Sequence, residues 1–517
     1  MANVTIARYA LGLAALAVVI GSVALTAIAV RRRLLPALAG APARLAEAVI
    51  GLAVLTLLLE LLGTVGLFRL GPIVAACALL GAATWRAMPG APQARLAQIQ
   101  PDLTSLLLMV AIAVLTLEWA APTLQSYDTG IRGFDSLWYH LPWAASFAQS
   151  GQITSLRFTD VEYLTAFYPA TAELYHGLGI VLLGRDTLSP LLNHGWLGLA
   201  LLAGYCIGRP SGRAQLAALG TAVALSVPAL ANSNAGNAAN DIVGVFYLLA
   251  GAALFVNRAP VLAAVALGLA VATKLSMLAP AVALLVAVLL AERRPRVAVA
   301  FIAAGGYWYL RNLIVVGNPL PWIDLGVFAT PAPPLQQHTG FAVAHYLPWT
   351  GAFGSGLRAG LGPLWPAILA AAVIGPALCL RERTTRALGI TALVSLIAYI
   401  VTPESAAGPD GHPLGFAFNL RYAAPALALG LTVLPLRAPR KPTTVILAAL
   451  LAATIVWPKH HIAGAVAIAV AASAAAILAG HRVKLAFPIA LAAAAIAGYP
   501  WQSHYLDGRY TFQPGVS

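Results

Sequence analysis

The chain has 517 residues, 60% of them apolar and only 9% charged, with a mean hydropathy of +0.83. No water-soluble domain carries so little charge, and the composition is that of an integral membrane protein. A single anchor is excluded by the amount of apolar sequence, which at about 20 residues per crossing fills on the order of 15 helices; a porin-like barrel is excluded because the apolar residues run on instead of alternating.

Apolar runs of spanning length lie near 9–30, 45–68, 72–86, 104–122, 188–208, 214–231, 242–257, 259–275, 277–291, 297–315, 363–380, 387–402, 420–436, 442–457, 462–480 and 485–499. The expected fold is therefore all-α and polytopic, with about 14–16 transmembrane helices. The first run lacks a basic leader and ends in Arg31, Arg32 and Arg33, so it reads as a retained helix and not a cleaved signal peptide. Cys77, Cys206 and Cys379 fall inside apolar runs without CxxC or Cys/His spacing, which indicates small core residues.

The net charge of +14 is unevenly distributed. Basic residues recur in every second gap between the runs, from Arg31–Arg33 and Arg44 to Arg482 and Lys484. These alternate loops hold 20 of the 31 basic residues and four acidic ones, a surplus of 16, whereas the rest of the chain carries 11 basic and 13 acidic residues. The positive-inside rule assigns such loops to the cytoplasm. The charge thus records insertion direction and gives no reason to expect nucleic acid. Three polar segments, 123–187, 316–362 and 403–419, then fall outside, in a multi-pass protein of the plasma (inner) membrane. The apolar stretch 171–184 is short for a crossing and is expected to lie at the interface or dip into the bundle. The chain divides into three N-terminal spans (1–103), a central region (104–436) and C-terminal helices with a short outer tail (437–517).

Charges inside or just above a membrane are costly, which makes them functional candidates. The first outer loop holds Asp135, Tyr139 and His140 within six residues, flanked by Trp138 and Trp143. Leu141–Ser150 reads as a short interfacial helix stopped by Gly151. Arg157, Asp160, Glu162, Tyr168-Pro169 and Glu173 follow. A carboxylate here suits a general base for an incoming hydroxyl, or a divalent cation held against a phosphate, or simply a solvated loop. Asp241 closes an Asn-rich stretch, Asn232 to Asn240, and opens a helix as a functional acid or an N-terminal cap. Lys274 sits between two short helices, where it either snorkels to the interface or meets a lipid phosphate. Arg311 and Asn312 lie inside an apolar helix that Gly317-Asn318-Pro319 breaks. A buried guanidinium there needs an anionic partner, a phosphate or an acid such as Asp324. Arg421-Tyr422 marks the entry of a later helix, as an anchor or a second phosphate contact. Glu60 lies in mid-membrane and faces other helices. The histidines at 338, 345, 412, 460, 461 and 504 show no zinc-site spacing, and no Gly-rich nucleotide loop opens a helix.

Taken together, Asp135-Ser-Leu-Trp-Tyr139-His140-Leu-Pro142, Tyr168-Pro169, Asp241, Ala-Thr-Lys274, Trp308-Tyr-Leu-Arg311-Asn312 with Gly317-Asn318-Pro319, and Arg421-Tyr422-Ala-Ala-Pro425 resemble a GT-C membrane glycosyltransferase. The resemblance covers about residues 104–436 and is to the bacterial, dolichyl-phosphate-mannose-protein-mannosyltransferase-like branch. It implies transfer of a sugar from a polyprenyl-phosphate donor to a hydroxyl of a glycan, lipid or protein acceptor at the outer face, with inversion. It further implies that Asp135 is the acceptor base, or a metal or acceptor orienter, and that Lys274, Arg311 and Arg421 neutralise the donor phosphate. Tyr139, His140, Asp241, Asn312 and Tyr422 support the substrates, and a divalent cation, Mg or Mn, would rest on Asp135 and Asp241. Two features depart from the family pattern: three extra helices precede the first loop, and no paired acid stands beside Asp135, whose nearest acidic neighbour is Asp128. The competing readings are a lipid-linked glycan ligase and a transporter or flippase. The latter predicts related halves and charges on both sides of a pathway.

Overall fold

A computed structural model describes residues 4–86, 102–159, 165–324, 326–329, 342–346, 350–402, 416–455 and 486–510. Among them every regular element is helical. The N-terminal part comprises α1 (Ile6–Leu34), α2 (Ala41–Thr64), α3 (Leu70–Arg86) and α4 (Leu103–Thr129). After the first loop come α5 (Leu141–Ser150), α6 (Thr171–Leu183), α7 (Ser189–Gly208), α8 (Ala214–Leu225), α9 (Pro228–Asn234), α10 (Asp241–Val256) and α11 (Pro260–Thr273). The chain continues through α12 (Leu278–Glu292), α13 (Pro295–Gly305), α14 (Tyr307–Val316), α15 (Val343–Tyr346), α16 (Thr350–Leu361), α17 (Trp365–Leu380) and α18 (Arg386–Val401). It ends with α19 (Phe416–Asn419), α20 (Ala424–Arg437), α21 (Arg440–Thr454) and α22 (Ala486–Tyr510).

The protein is a polytopic helical membrane protein. Large apolar side chains such as Leu57, Leu61, Leu79, Leu290, Ile302 and Ile314 stand on its outer surface, a pattern that lipid tolerates and water does not. Among the described residues, six helical stretches of 18 residues or more are apolar enough to cross a bilayer, or nine if each of three bent pairs is one crossing. The expected 14–16 also counted apolar runs that form helices of 10–17 residues, α3, α10, α11 and α18 among them, shorter than the usual crossing of about 20 residues. The run at 462–480 lies outside the described residues.

Breaks account for the bent pairs. Pro228 turns α9 by 73° from α8, and α14 leaves α13 at 66° where Gly306 interrupts the helix. Arg311 and Asn312 therefore do not lie inside one continuous helix, as expected, but on a separate short one. The first loop also begins later than position 123. Helix α4 runs through Pro122 to Thr129, as helices of membrane bundles can when local adjustment and neighbouring groups satisfy what a proline frees. At its other end Asp102 caps α4, accepting from the Ser105 N–H at 2.8 Å, and these local hydrogen bonds hold its carboxyl down at about 2. The last described helix, α22, continues to Tyr510, past the expected apolar run at 485–499.

Helix α10 forms the centre: 14 of its 16 residues are buried, against α7 on one side and α11 on another. α20 is buried to a similar degree and packs on α8, α17 and α18. Close approach depends on small residues. A Cβ on Gly220 would lie 2.2 Å from the Leu431 carbonyl oxygen, so α8 and α20 meet backbone to backbone. The three N-terminal helices are not set apart. α1 packs on α6, and α2 packs on α7, α10 and α11, within one continuous apolar core that includes residues from Ala15 to Leu451. Helix α6 dips into this bundle, buried along most of its length. The three cysteines are buried and unbridged, and Glu60 faces the interior.

Candidate functional site

The loop after α4 is clamped before it reaches Asp135. Gly133 N–H donates to Asn237 Oδ1 at 3.0 Å, and Ala238 N–H donates to Ser136 Oγ at 3.0 Å. The Asn-rich stretch between α9 and α10 thus fixes the acid-bearing segment. A π-helical turn, Ser136–His140, then runs into α5. Such turns carry an extra residue per turn and fan out their side chains, which is why they recur at functional sites. Gly151 ends α5 at φ 76°, where a side chain would also strike the Gly66 carbonyl.

Four of the expected residues form two buried ion pairs. Arg421, on the 3₁₀ turn Leu420–Ala423 ahead of α20, donates from Nη2 to Asp135 Oδ2 at 2.5 Å. Lys274, in extended backbone between α11 and the turn Leu275–Met277, donates from Nζ to Asp241 Oδ1 at 2.5 Å. Neither cation reaches out toward the interface as a snorkelling side chain would. Asp241 is the first residue of α10, but its carboxylate serves Lys274 and not the helix end. Tyr422 joins the pairs: Arg421 Nη2 donates to its hydroxyl at 3.2 Å, and the Lys274 ammonium lies 5.0 Å from its ring centre. Arg421 also stacks over Phe418 at 3.9 Å. Arg421 feels both Asp135 and Asp241 electrostatically, so the two pairs are one cluster.

A cavity of about 770 Å³ opens beside this cluster. Lys274, Tyr139, Tyr422, Asn240 and Tyr168-Pro169 line it, and the rest of its wall is largely the apolar sides of α12 and α18, including Leu278, Val282, Val394 and Ala398. Asp135, Asp241 and Arg421 are not in the wall but bond to residues that are, or to one another. Tyr139 is held by Trp143 and Tyr168, each with ring centres 5.8 Å away, and by the His140 ring at 4.0 Å. Burial, reinforced by the Asp135 charge, pushes its phenol well above the usual tyrosine range, so it is a neutral hydrogen-bond donor. His140 is fully buried and pairs through Nδ1 with Glu173 of α6.

Arg311 and Asn312 do something else. Arg311 donates to the Asn312 side chain at 2.9 Å and to the Ala166 and Tyr168 carbonyls at 3.1 and 3.4 Å. Asn312 donates to the Phe167 carbonyl at 2.9 Å. Together they brace the segment that presents Tyr168-Pro169 to the cavity, and the anionic partner expected for Arg311 is replaced by backbone oxygens. Neither residue lines the cavity.

Asp135 and Asp241 turn toward cations and not toward each other, and no group of three His, Cys, Asp or Glu that could hold a metal ion occurs among the described residues. As arranged, these carboxylates do not fit a shared divalent ion. Asp160, Glu162 and the histidines at 338, 412, 460 and 461 lie outside the described residues, and His504 pairs with Asp128 at 2.9 Å. Sequence reasoning named Glu173 among the first-loop carboxylates without singling out its pairing with His140, and gave no role to Asn237 or Asn240. The available signal was compositional, four asparagines between 232 and 240 in an otherwise apolar chain. Comparison of the chain with models of known families, with characterised proteins and with solved structures finds no match.

Proposed function

We propose that the protein is an integral membrane glycosyltransferase that moves a sugar from a polyprenyl-phosphate donor to an acceptor hydroxyl on a glycan, lipid or protein. The observation that carries this reading is the two-sided character of the cavity. One end holds Lys274, Tyr139 and Tyr422 with Arg421 behind them, and the other is an apolar trough along α12 and α18. An amphiphile with an anionic head and a hydrocarbon tail matches both ends. The distribution of basic loops supports an extracytoplasmic position for this end of the bundle.

In the mechanism, the donor phosphate enters near Tyr422 and competes with the carboxylates for Arg421 and Lys274. Once Arg421 turns to the phosphate, Asp135 is released to take the proton of the acceptor hydroxyl. The acceptor oxygen bonds to the anomeric carbon as the bond from that carbon to the phosphate oxygen breaks, which inverts its configuration. Arg421, Lys274 and the Tyr139 hydroxyl stabilise the charge gathering on the leaving lipid phosphate. Arg311, as a brace for Tyr168-Pro169, acts at one remove. Incubating the purified protein with polyprenyl-phosphate sugars and measuring released lipid phosphate tests this. Release from wild type and none from Asp135→Asn is expected; binding of donors without release from any of them overturns it.

A further inference from the structure

A second cavity, of about 600 Å³, shares no wall residue with the first. It is enclosed by the first turns of α1, the C-terminal half of α4, the start of α7 and the later part of α22. From Thr116 to Tyr127 it follows twelve residues of α4, a depth of about 16 Å at the helical rise. Its wall is overwhelmingly apolar and, among the described residues, includes no Asp, Glu, Lys or Arg.

Three polar groups in that wall have no partner among the described residues. Gln502 is only 3% exposed, yet both its amide oxygen and its amide nitrogen are unpaired. Thr187 Oγ1 and His194 Nδ1 are buried and unpaired as well. Such groups are costly in apolar surroundings unless something bonds to them. Their positions are ordered along the cavity. Trp501 and Tyr505 both meet the Tyr127 ring, and Tyr127 donates to the Thr187 carbonyl, so Gln502 and Thr187 share the end of the cavity near Tyr127. His194 lies deeper, edge-on to Trp119.

We propose that this cavity is a separate lipid site that takes an uncharged glycerolipid of the diacylglycerol type. Gln502 needs an acceptor for its N–H groups and a donor for its oxygen, and an ester carbonyl beside a free hydroxyl supplies both. Thr187 and His194 have capacity for the hydroxyl and a second ester carbonyl, and an acyl chain occupies the apolar depth toward Thr116. An anionic headgroup finds no cation among the described residues of this wall, which separates the site from the charged cavity. The occupant bridges α22 to α1, α4 and α7 and ties the C-terminal helix to the core.

Native mass spectrometry of the full chain in mild detergent, titrated with dioleoylglycerol, methyl oleate or dioleoyl phosphatidic acid, tests the proposal. Wild type is expected to retain one dioleoylglycerol, with methyl oleate and phosphatidic acid each binding about tenfold more weakly. Gln502→Leu is expected to lose that preference while melting no lower than wild type without lipid, because it removes an unpaired buried amide. Leu191→Trp, a change at a half-exposed wall position, is expected to block retention by filling the mouth. Equal retention by wild type and both variants, or phosphatidic acid bound as tightly as dioleoylglycerol, overturns the assignment.

Discussion

Arg421 closes on Asp135 across 286 residues of sequence, with Nη2 2.5 Å from Oδ2 and both side chains almost fully buried. The pair separates two effects of one substitution. Asp135→Asn leaves a buried guanidinium without its counter-charge, and removing one partner of such a pair costs about 3–5 kcal/mol of stability. The same change leaves Arg421 free for a phosphate. Expected outcomes are a lower melting temperature, a donor KM no higher than wild type, and a kcat lower by about 10²–10⁴-fold. Steady-state kinetics with a polyprenyl-phosphate sugar checks this, and a raised KM with unchanged kcat sinks the assignment of Asp135.

Lys274 and Asp241 give changes of opposite sign. Lys274→Met removes the cation that lines the cavity, and the donor KM is expected to rise about tenfold through loss of one charge-assisted contact. Asp241→Asn releases Lys274 from its carboxylate and is expected to lower the KM. Donor-binding isotherms of the two variants provide the measurement; shifts in the same direction argue against competition between carboxylate and phosphate.

Arg311 is expected to behave as a brace. Arg311→Gln strips hydrogen bonds from the Ala166 and Tyr168 carbonyls and should cost about 2 kcal/mol of stability. Faster proteolysis around residues 165–170 should accompany it, with a donor affinity near that of wild type. A large loss of donor affinity in a protein of unchanged stability would restore the role that the family resemblance implies for this residue.

The packing of α8 on α20 is equally testable. Gly220→Ala places a methyl group against the Leu431 carbonyl, and overpacking of this kind costs about 1–3 kcal/mol. Thermal unfolding in detergent should show the loss, and Gly220→Val should prevent recovery of folded protein.

Much of this architecture is legible in the sequence because charge and hydropathy are local properties. The helical class, the buried helix at 171–183, the Gly151 stop and the placement of Asp241 and Lys274 at helix ends all follow from short windows. The pairings do not. Nothing local tells that Arg421 meets Asp135, or that the partners of Arg311 are carbonyl oxygens, since every residue carries one. Hydropathy likewise sums apolar residues without recording that Pro228 or Gly306 bends the chain, or that α10 is a short helix enclosed by protein.

Tyr422, between Lys274 and Arg421, sits at the meeting point of two cations and two carboxylates whose formal charges cancel. At rest such a centre exerts little long-range pull on anions, so selection occurs on contact and not by attraction from a distance. A polyprenol lacking its phosphate has nothing to exchange for either carboxylate and is turned away by the salt links themselves, without a steric gate.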